Sequence, residues 1–586
     1  MCGILVVVDP LRKYSKLDFE KLNFMHHHRG PEAGGSIYSN NTYLGSMRLK
    51  IHDLDDAANQ PMPDYSGRYT IIFNGAIYNY RKIRGELMAL GYSFKTNSDT
   101  EVILYGYIEW RAGLLVKLQG MFSLCILDNQ EKRLFVARDA LGVKPLHFYV
   151  GNGCFILSSE IKPILNSKGF VPSVNRNSLT DLFLYQSPSP NQTFFSGIDV
   201  FPQGNYAEID CLSVSNPSFT CFWDISDRNG DKNISSDDFE GYLTQTLEDA
   251  WQSDRKIGLQ LSGGVDSSLI AAWASEKLAI PDIKTYSAIF ANEKRRYSLP
   301  KSEEVYIDIV TSKFGLLSSK YTYSPDEIKI SLIKAIECAE SPLHGASTAV
   351  YYLLARSIKP YVDVVITGEA VDDIFNGYTS GWEATNSLES FLPSFNNRDL
   401  VKKLLGNYYS DNRLAHSDVL MRRCLKNGYT NEEILSTITT SFGLPNLLAR
   451  HDRMFMASSI EGRPVFADKQ FFDLRMRMPE TLIRRNGEGK IVFKDLLGKY
   501  FDNDFVFRKK IGFSSPYGDW LSDRKFWGGY LDFIDYDILS HYFNIDVIRS
   551  VVNMKEGVSK WSGENLNLLM CLIGFQIWHK CFINPK

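Results

Sequence analysis

Three short stretches gather the side chains from which a reaction could be built. The chain opens MCGILVVVDP, with Cys2 on the lip of an apolar run. Removal of Met1, which a small second residue permits, would leave Cys2 with both a thiol and a free α-amine. An α-amine has a reference pKa of ~7.7–8.0, near enough to neutrality to act as a base beside its own nucleophile. These residues also leave open an incidental cysteine on an edge strand. The second stretch is Leu261-Ser262-Gly263-Gly264-Val265-Asp266-Ser267-Ser268, between a predicted strand and a predicted helix. Its two glycines let the backbone turn tightly, so that N–H groups and the helix N-terminus face an anion. Ser262, Ser267 and Ser268 add hydroxyl donors, and Asp266 offers an oxygen ligand to the Mg²⁺ that accompanies a polyphosphate. The sequence G-x-x-x-x-G-K-[ST] is absent, so this is not the usual γ-phosphate hydrolase arrangement. The third stretch, Thr367-Gly368-Glu369-Ala370-Val371-Asp372-Asp373, directly follows VDVVIT. An acidic loop at the carboxyl end of a parallel strand, paired with the second stretch, reads as a magnesium and base site.

Positioning these residues takes more than one core, and 586 residues predict two to four domains. Over residues 2–210, apolar runs such as GILVVV, YTIIFN, GMFSLCIL, RLFVAR and CFILSSE alternate with turn chemistry such as DNQEK and GNG. KIRGELMAL and DTEVILYGYIEW have helical spacing. The mixture predicts an α+β domain of antiparallel sheets between helices. Residues 211–238 are rich in Ser, Asn, Asp and Gly, as a domain linker is. Within them DRNGDKNISSDD (227–238) resembles a calcium loop, but Lys232 stands where the sharp turn wants Gly and Asp238 where a bidentate Glu belongs. It reads as a solvated linker. Over 239–586, KIGLQLSGG, SSLIAAWASEKL, KTYSAIF, EEVYIDIVTSKFG and VDVVIT alternate strand and helix, which predicts an α/β doubly wound parallel sheet followed by a helical C-terminal region. LNLLMCLIGFQIW is shorter than the ~20 residues of a membrane helix and reads as a buried core helix.

A formal charge of −3 offers no basic excess for nucleic acid or an anionic membrane. The nine cysteines form no C-x-x-C pair and are odd in number, so neither a zinc site nor a disulfide framework is expected. GILVVV lacks the length and basic flank of a signal segment, which points to a reducing, cytoplasmic protein.

SGGVDSS resembles the pyrophosphate loop of the ATP pyrophosphatases, and together with Cys2 it resembles glutamine-hydrolysing asparagine synthetase and its relatives. The likeness covers nearly the whole chain in order. Arg29-Gly30-Pro31-Glu32, Arg48-Leu49, Asn74-Gly75, Ser98-Asp99-Thr100-Glu101 and Arg138-Asp139 match the class II glutaminase pattern, whose fold is an N-terminal-nucleophile sandwich. SGGVDSS, GEAVDD, DRMFMASSIEGRPVFAD (452–468) and RKKIGF (508–513) fall where the synthetase domain has its landmarks.

The resemblance implies roles. Cys2 attacks the glutamine amide, Asn74 and Gly75 form the oxyanion hole, and Arg48 and Asp99, with Asn74 and Gly75, bind glutamine. Ammonia passes to the second domain, where a carboxylate, most directly aspartate, attacks ATP to give an acyl-adenylate and pyrophosphate. There Asp266 and Asp372 carry Mg²⁺, Lys510 neutralises phosphate, and Glu369 takes a proton from ammonia. Gln260, Ser262, Gly263, Gly264, Ser267, Ser268, Ile289, Thr367 and Gly368 line the nucleotide pocket. The departures lie beside these residues: the pattern N-G-E-I-Y-N is here Asn74-Gly75-Ala76-Ile77-Tyr78-Asn79, and G-E-G-S-D-E is Gly368-Glu369-Ala370-Val371-Asp372-Asp373. They leave room for another acceptor, such as a uronic-acid sugar of a surface polysaccharide. An adenylating cyclase shares the second domain, but such relatives commonly lack the Cys2 nucleophile. A silent binding homologue would not be expected to keep Cys2, Asp266, Glu369 and Lys510. His26-His27-His28 reads as structural or surface, and Arg450, Asp452 and Arg453 as contacts to the acceptor or the nucleotide or as ion-pair scaffolding. Oligomeric state stays open, a homodimer included.

Overall fold

The computed structural model describes residues 1–227, 231–290, 303–342, 346–378, 394–508, 534–552 and 563–584. Its first half is layered by the alternation within CGILVVV. In β1 (Cys2–Val8), Cys2, Ile4, Val6 and Val8 enter one buried cluster with Ile72, Cys125, Leu134 and Val136. Leu5 and Val7 enter another with Phe19, Tyr43 and Ile156. Successive side chains of a strand face opposite sides, so a run buried on both faces has to lie between two layers. β1 pairs antiparallel with β3 (Thr42–Arg48) and with β9 (Cys154–Ser158), which places Cys2 on an interior strand and corrects the edge-strand alternative.

That sheet continues to β2 (Ala33–Ser39) beyond β3, and to β8 (His147–Gly151) and β10 (Ile198–Val200) beyond β9. The second antiparallel sheet runs β12 (Thr220–Cys221), β11 (Asn205–Asp210), β7 (Arg133–Arg138), β6 (Gly120–Asp128), β5 (Tyr69–Ile77) and β4 (Met62–Pro63). The two sheets meet across the first cluster. The outer face of the second packs Ile71, Phe73 and Ile77 against Val102 and Ile103 of α1 (Asp99–Trp110). The expected α+β sandwich is what forms.

The second half holds a parallel sheet in the order β15 (Leu317–Tyr323), β14 (Lys284–Phe290), β13 (Ile257–Gln260), β16 (Val364–Thr367), β17 (Glu461–Pro464). β13 has β14 on one side and β16 on the other, so the order reverses there. Ligand loops of such sheets gather at the carboxyl ends of strands beside that reversal. SGGVDSS leaves β13 and GEAVDD leaves β16. β17 was not legible in the sequence, because Glu-Gly-Arg-Pro has no strand-forming pattern; pairing with buried β16 makes it one.

The 211–238 segment is more tied down than a solvated linker. Its Thr220 and Cys221 pair with β11, Trp223 Nε1 donates to Asp473 at 3.3 Å, and Ile234 is buried. Asp238 closes a capping box with Ser235 at the start of α2 (Ser236–Ala250), so the calcium-like spacing at its end is a helix start. Helix α3 (Val265–Glu276) follows the glycine pair, α4 (Ala346–Ile358) precedes β16, and α5 (Val371–Ile374) follows it. Helix α6 (Leu444–Met456) leads to β17, and α7 (Ile491–Leu497) follows later. The apolar C-terminal run lies in α8 (Gly563–Phe582), whose Trp578 packs on Phe195 with ring centroids 4.8 Å apart. Among the described residues no helix is long and apolar enough to cross a membrane.

Phe493 of α7 touches Phe375, Phe239 and Phe466 at centroid distances of 4.9, 5.2 and 5.3 Å, joining α7 to α2 and to the loop after α5. Phe493→Ala should cost about 3–5 kcal/mol, and Phe493→Leu less than half of that. Urea unfolding followed by tryptophan fluorescence measures both; equal midpoints for wild type and Phe493→Ala would show that this cluster anchors nothing.

Candidate functional sites

Cys2 opens β1, in register with Arg48 of β3. Its backbone N–H donates to Asn74 Oδ1 at 3.1 Å and its carbonyl accepts from Arg29 Nε at 3.2 Å. With its oxygen facing Cys2, Asn74 has its Nδ2 donor buried and without a hydrogen-bond partner. An unsatisfied buried donor costs about 1–3 kcal/mol, and it is the kind of group that an oxyanion needs. Gly75 is forced by close approach, since a Cβ there would lie 2.1 Å from Met121 O. Met1 is attached and buried, its ammonium 3.1 Å from Leu49 O and 3.3 Å from Glu461 Oε2.

Arg48 and Asp99 form no ion pair with each other. The Arg48 guanidinium shapes the following loop, Nη1 donating to Asp55 O at 3.2 Å and Asn59 Oδ1 at 2.9 Å, Nη2 to His52 O at 3.1 Å and Asp53 O at 2.6 Å. Asp99, first residue of α1, accepts from Ile77 N at 3.1 Å. Burial pushes its carboxyl up to about 6. Gln60 was not foreseen from sequence: its Nε2 lies 3.8 Å from Cys2 Sγ and its Oε1 accepts from Phe73 N at 2.6 Å. No motif distinguishes it from any other loop glutamine.

In the second half, Gly263 adopts φ +73°, and Gly264 N donates to Ser262 Oγ at 3.3 Å. Ser262 Oγ lies 3.1 Å from Ser267 Oγ, and Ser268 Oγ is buried without a partner. The two loops touch: a Cβ on Gly368 would stand 3.0 Å from Asp266 Cβ and 3.3 Å from Ser267 N. That contact brings Asp266 and Asp372 together on Lys490, whose Nζ is 2.7 Å from Asp266 Oδ2 and 2.6 Å from Asp372 Oδ1. Burial opposes the Lys490 charge, but the two carboxylates outweigh it and its pKa is raised. Lys490 was missed because its GEGK segment carries no recognisable spacing. Two carboxylates converging on one cation are also a donor set that suits Mg²⁺. Arg508, to which no motif assigns a role, donates from Nη2 to Gly263 O and stacks 3.9 Å over the Tyr306 ring.

Of the remaining positions, Gln260 ends β13, Ile289 lies in β14, and Thr367 ends β16 with Oγ1 3.0 Å from His451 Nε2. Glu369 Oε1 accepts from Tyr351 Oη of α4 at 2.7 Å and lies 3.9 Å from Arg450 Nη2. Lys510 lies outside the described residues.

A buried ionic network joins the two centres. Arg29, which holds Cys2 O, reaches Glu160 at 3.2 Å and Asp452 at 2.8 Å. Asp452 also meets Lys144 at 3.2 Å, and Arg453 meets Glu160 at 3.2 Å and Glu340 at 2.8 Å. Burial would raise the Asp452 carboxyl, but Arg29, Lys144 and Arg453 hold it lowered. Asp452 and Arg453 are therefore ion-pair scaffolding, while Arg450 faces Glu369. The histidine run divides among partners, His26 Nε2 at 3.0 Å from Ser158 Oγ and His28 Nε2 at 3.0 Å from Glu160.

Residues 1–220 match the glutamine amidotransferase domain family and residues 238–580 the asparagine synthase family. The chain is 29% identical to glutamine-hydrolyzing asparagine synthetase 3 of Bacillus subtilis, over 88% of this chain and 87% of that protein. It is 26% identical to synthetase 1 of the same organism, over 100% and 98%. Against asparagine synthetase B of Escherichia coli it is 27% identical, over 90% and 84%.

Asp99 yields a pH dependence with a definite sign. Its folded pKa of about 6 lies above the ordinary carboxylate value, so its stabilising contribution is complete in acid and lost as pH rises through 6. A ligand ammonium needs the ionised form. KM for glutamine should therefore rise about tenfold per pH unit below 6, and Asp99→Asn should flatten that dependence at a raised KM while stabilising the ligand-free chain at pH 7. Glutaminase assays from pH 5 to 8 and thermal melts check both; a KM unchanged between pH 5 and pH 7 would show that Asp99 meets no ligand ammonium.

Proposed function

The chain belongs to the asparagine synthase family, and from that premise we propose that it amidates a carboxylate with ammonia taken from glutamine, at the expense of ATP. It is a glutamine-dependent amidotransferase with a synthetase domain, an enzyme of the ligase class that forms carbon–nitrogen bonds. The proposal concerns its residues and its acceptor.

After Met1 is removed, the Cys2 amine takes the thiol proton and Sγ attacks the glutamine amide carbon. The negative oxygen that forms is met by Asn74 Nδ2, the buried donor that lacks a partner, and by the Gly75 N–H. The amine returns its proton to the departing nitrogen as ammonia leaves, and water then hydrolyses the thioester. Arg48 and Asp99 hold the amino-acid end, Arg48 by shaping the loop at 52–59. In the second half an acceptor carboxylate oxygen attacks the α-phosphorus of ATP and pyrophosphate leaves. Ammonia attacks the acyl carbon, AMP departs, and Glu369 takes the surplus proton. Asp266 and Asp372 would hold Mg²⁺, which neutralises phosphate charge when bound. Lys490 lies between the same carboxylates and serves the phosphates with Arg508 and Lys510.

One observation carries this reading: helix α6 serves both centres. Its Asp452 is held by Arg29, which touches Cys2 O, and its Arg450 lies beside Glu369. An adenylating cyclase has no use for that connection. The relatives are named asparagine synthetases, so aspartate, giving asparagine in the cytoplasm, is the first acceptor proposed. Ala370 and Val371, where the family pattern has Gly and Ser, favour a second reading with a different carboxylate.

Cys2→Ala should abolish glutamine-dependent amide synthesis by at least about 10³-fold, since only binding and oxyanion contacts would remain. Ammonium chloride should restore synthesis in the same variant. Continued use of glutamine, or failure of the rescue, would break the two-centre reading. Glu369→Gln should still release pyrophosphate on forming the adenylate yet yield little amide. Coupled pyrophosphate and AMP assays follow both, and ADP as the stoichiometric product would contradict adenylation.

A further inference from the structure

Lys490 is a cation already fixed where the second half would receive a metal. Its Nζ lies 2.7 and 3.0 Å from the two oxygens of Asp266 and 2.6 Å from Asp372 Oδ1, and the residue is only 5% exposed. Mg²⁺ sits about 2.0–2.1 Å from its oxygen ligands, so an ion held by both carboxylates has to displace the ammonium that lies between them.

The chain is shaped to put Lys490 there. Its backbone adopts φ +57°, the left-handed region that a Cβ disfavours, at the residue that caps α7. Such a conformation persists only where the surroundings over-determine it. Here two glycines let the segments close on each other. A Cβ on Gly489 would lie 2.2 Å from Asn376 O, and one on Gly377 would lie 2.0 Å from Lys490 Cε. Asn376 is itself fixed, donating from Nδ2 to Glu432 O at 3.0 Å and accepting from Ser436 Oγ at 2.6 Å. Glu488, the nearest acid in sequence, is taken by Lys494 at 2.5 Å and does not draw Lys490 away.

We propose that Lys490 stands in for Mg²⁺ between Asp266 and Asp372 until a nucleoside triphosphate arrives, then passes to the phosphates, so that metal and nucleotide enter only together. The proposal rests on the reading of the second half as an ATP site. Two carboxylates brought together away from water repel each other, and the Lys490 ammonium relieves that repulsion while no metal is bound. Free Mg²⁺ that displaced it would strand a buried ammonium without a partner, which is costly. A metal that arrives on ATP brings phosphate oxygens to accept the displaced ammonium, and no charge is stranded. Lysine suits this exchange, because its compact charge rides on a flexible stem, whereas an arginine fork is matched to one bidentate partner. Once Mg²⁺ leaves with pyrophosphate, Lys490 closes again on the carboxylates.

The test uses the full chain with Mn²⁺ as the probe, its binding followed by electron paramagnetic resonance. Without nucleotide, wild type should bind Mn²⁺ at least about tenfold more weakly than Lys490→Met, whose carboxylates have lost their ammonium. Lys490→Gln keeps a neutral donor at the same place and should show the same gain, so a Lys490→Met chain that fails to fold does not stop the test. Adding Asp372→Asn to either variant should remove the gained affinity, which assigns it to this carboxylate pair. In thermal melts without nucleotide, Mn²⁺ should leave the wild-type midpoint in place and raise that of the variant. With ATP present, wild type should bind Mn²⁺ and nucleotide together, and Lys490→Met should bind ATP at least about tenfold more weakly. Wild type that takes up free Mn²⁺ as tightly as the variants, or a gain that survives Asp372→Asn, overturns the exchange and leaves the ATP site standing. Wild type that binds no ATP in the presence of Mn²⁺ overturns the ATP reading and the exchange together.

Discussion

A guanidinium removed from water has to be met by acids at fixed positions, and Arg29 meets that requirement across the two halves of the chain. It is fully buried, and its partners are Cys2 O and Glu160 on one side and Asp452 of α6 on the other. Such pairs do little for net stability, because desolvation offsets most of the Coulombic gain. Their effect is geometric. Losing one partner strands a charge at a cost of about 3–5 kcal/mol, so neither half can rotate against the other without a large penalty. Lys144 and Arg453 extend the same constraint through Asp452, Glu160 and Glu340. The Cys2 backbone and the helix beside Glu369 are thereby fixed in one frame.

Within that frame, each centre is built where regular structure ends. Cys2 is the first residue of a strand buried on both faces and is itself buried, within reach of Asn74 and Gln60. SGGVDSS and GEAVDD leave adjacent parallel strands, and Gly368 lets the loops touch closely enough for Asp266 and Asp372 to share Lys490. Gly377 serves the same contact, since a Cβ there would lie 2.0 Å from both Asp372 Oδ1 and Lys490 Cε. The glycines are where backbones must approach, and the acids are what the approach brings together.

Whatever depends on periodicity or on a compact motif was legible in the sequence. The alternation of CGILVVV, the strand–helix succession after 239 and the two glycine-acid loops all follow from local spacing. Partnerships made by distant segments were not. Lys490 reaches Asp266 across 224 residues, Gln60 approaches Cys2 across 58, and β17 exists only because β16 lies beside it. At Asp238 local spacing imitates a cation loop, and the departures there and at Lys232 rightly argue against one, since the carboxylate caps a helix. The ionic network was half visible, since Arg29, Asp452 and Arg453 lie in recognisable motifs whose mutual contact no spacing reveals.

Ala370 shows how a site can change its chemistry while keeping its shape. It sits at φ +82° and ψ −19°, left-handed backbone that costs a non-glycine residue about 1–2 kcal/mol. Glycine would hold that conformation at no steric cost, and glycine is what the family pattern has there. The turn is nevertheless kept, because Thr367 is held by His451 on one side and Gly377 N donates to Asp372 O at 2.9 Å on the other. Ala370 and Val371 are buried, so a methyl and an isopropyl group stand where the pattern has a hydrogen and a hydroxyl. Glu369 and Asp372 keep their places on either side of them. Under the proposed roles of Glu369 and Asp372, such a change leaves adenylation and proton transfer their geometry and removes a polar contact beside them. Selectivity for the acceptor is therefore the property of this centre most free to diverge.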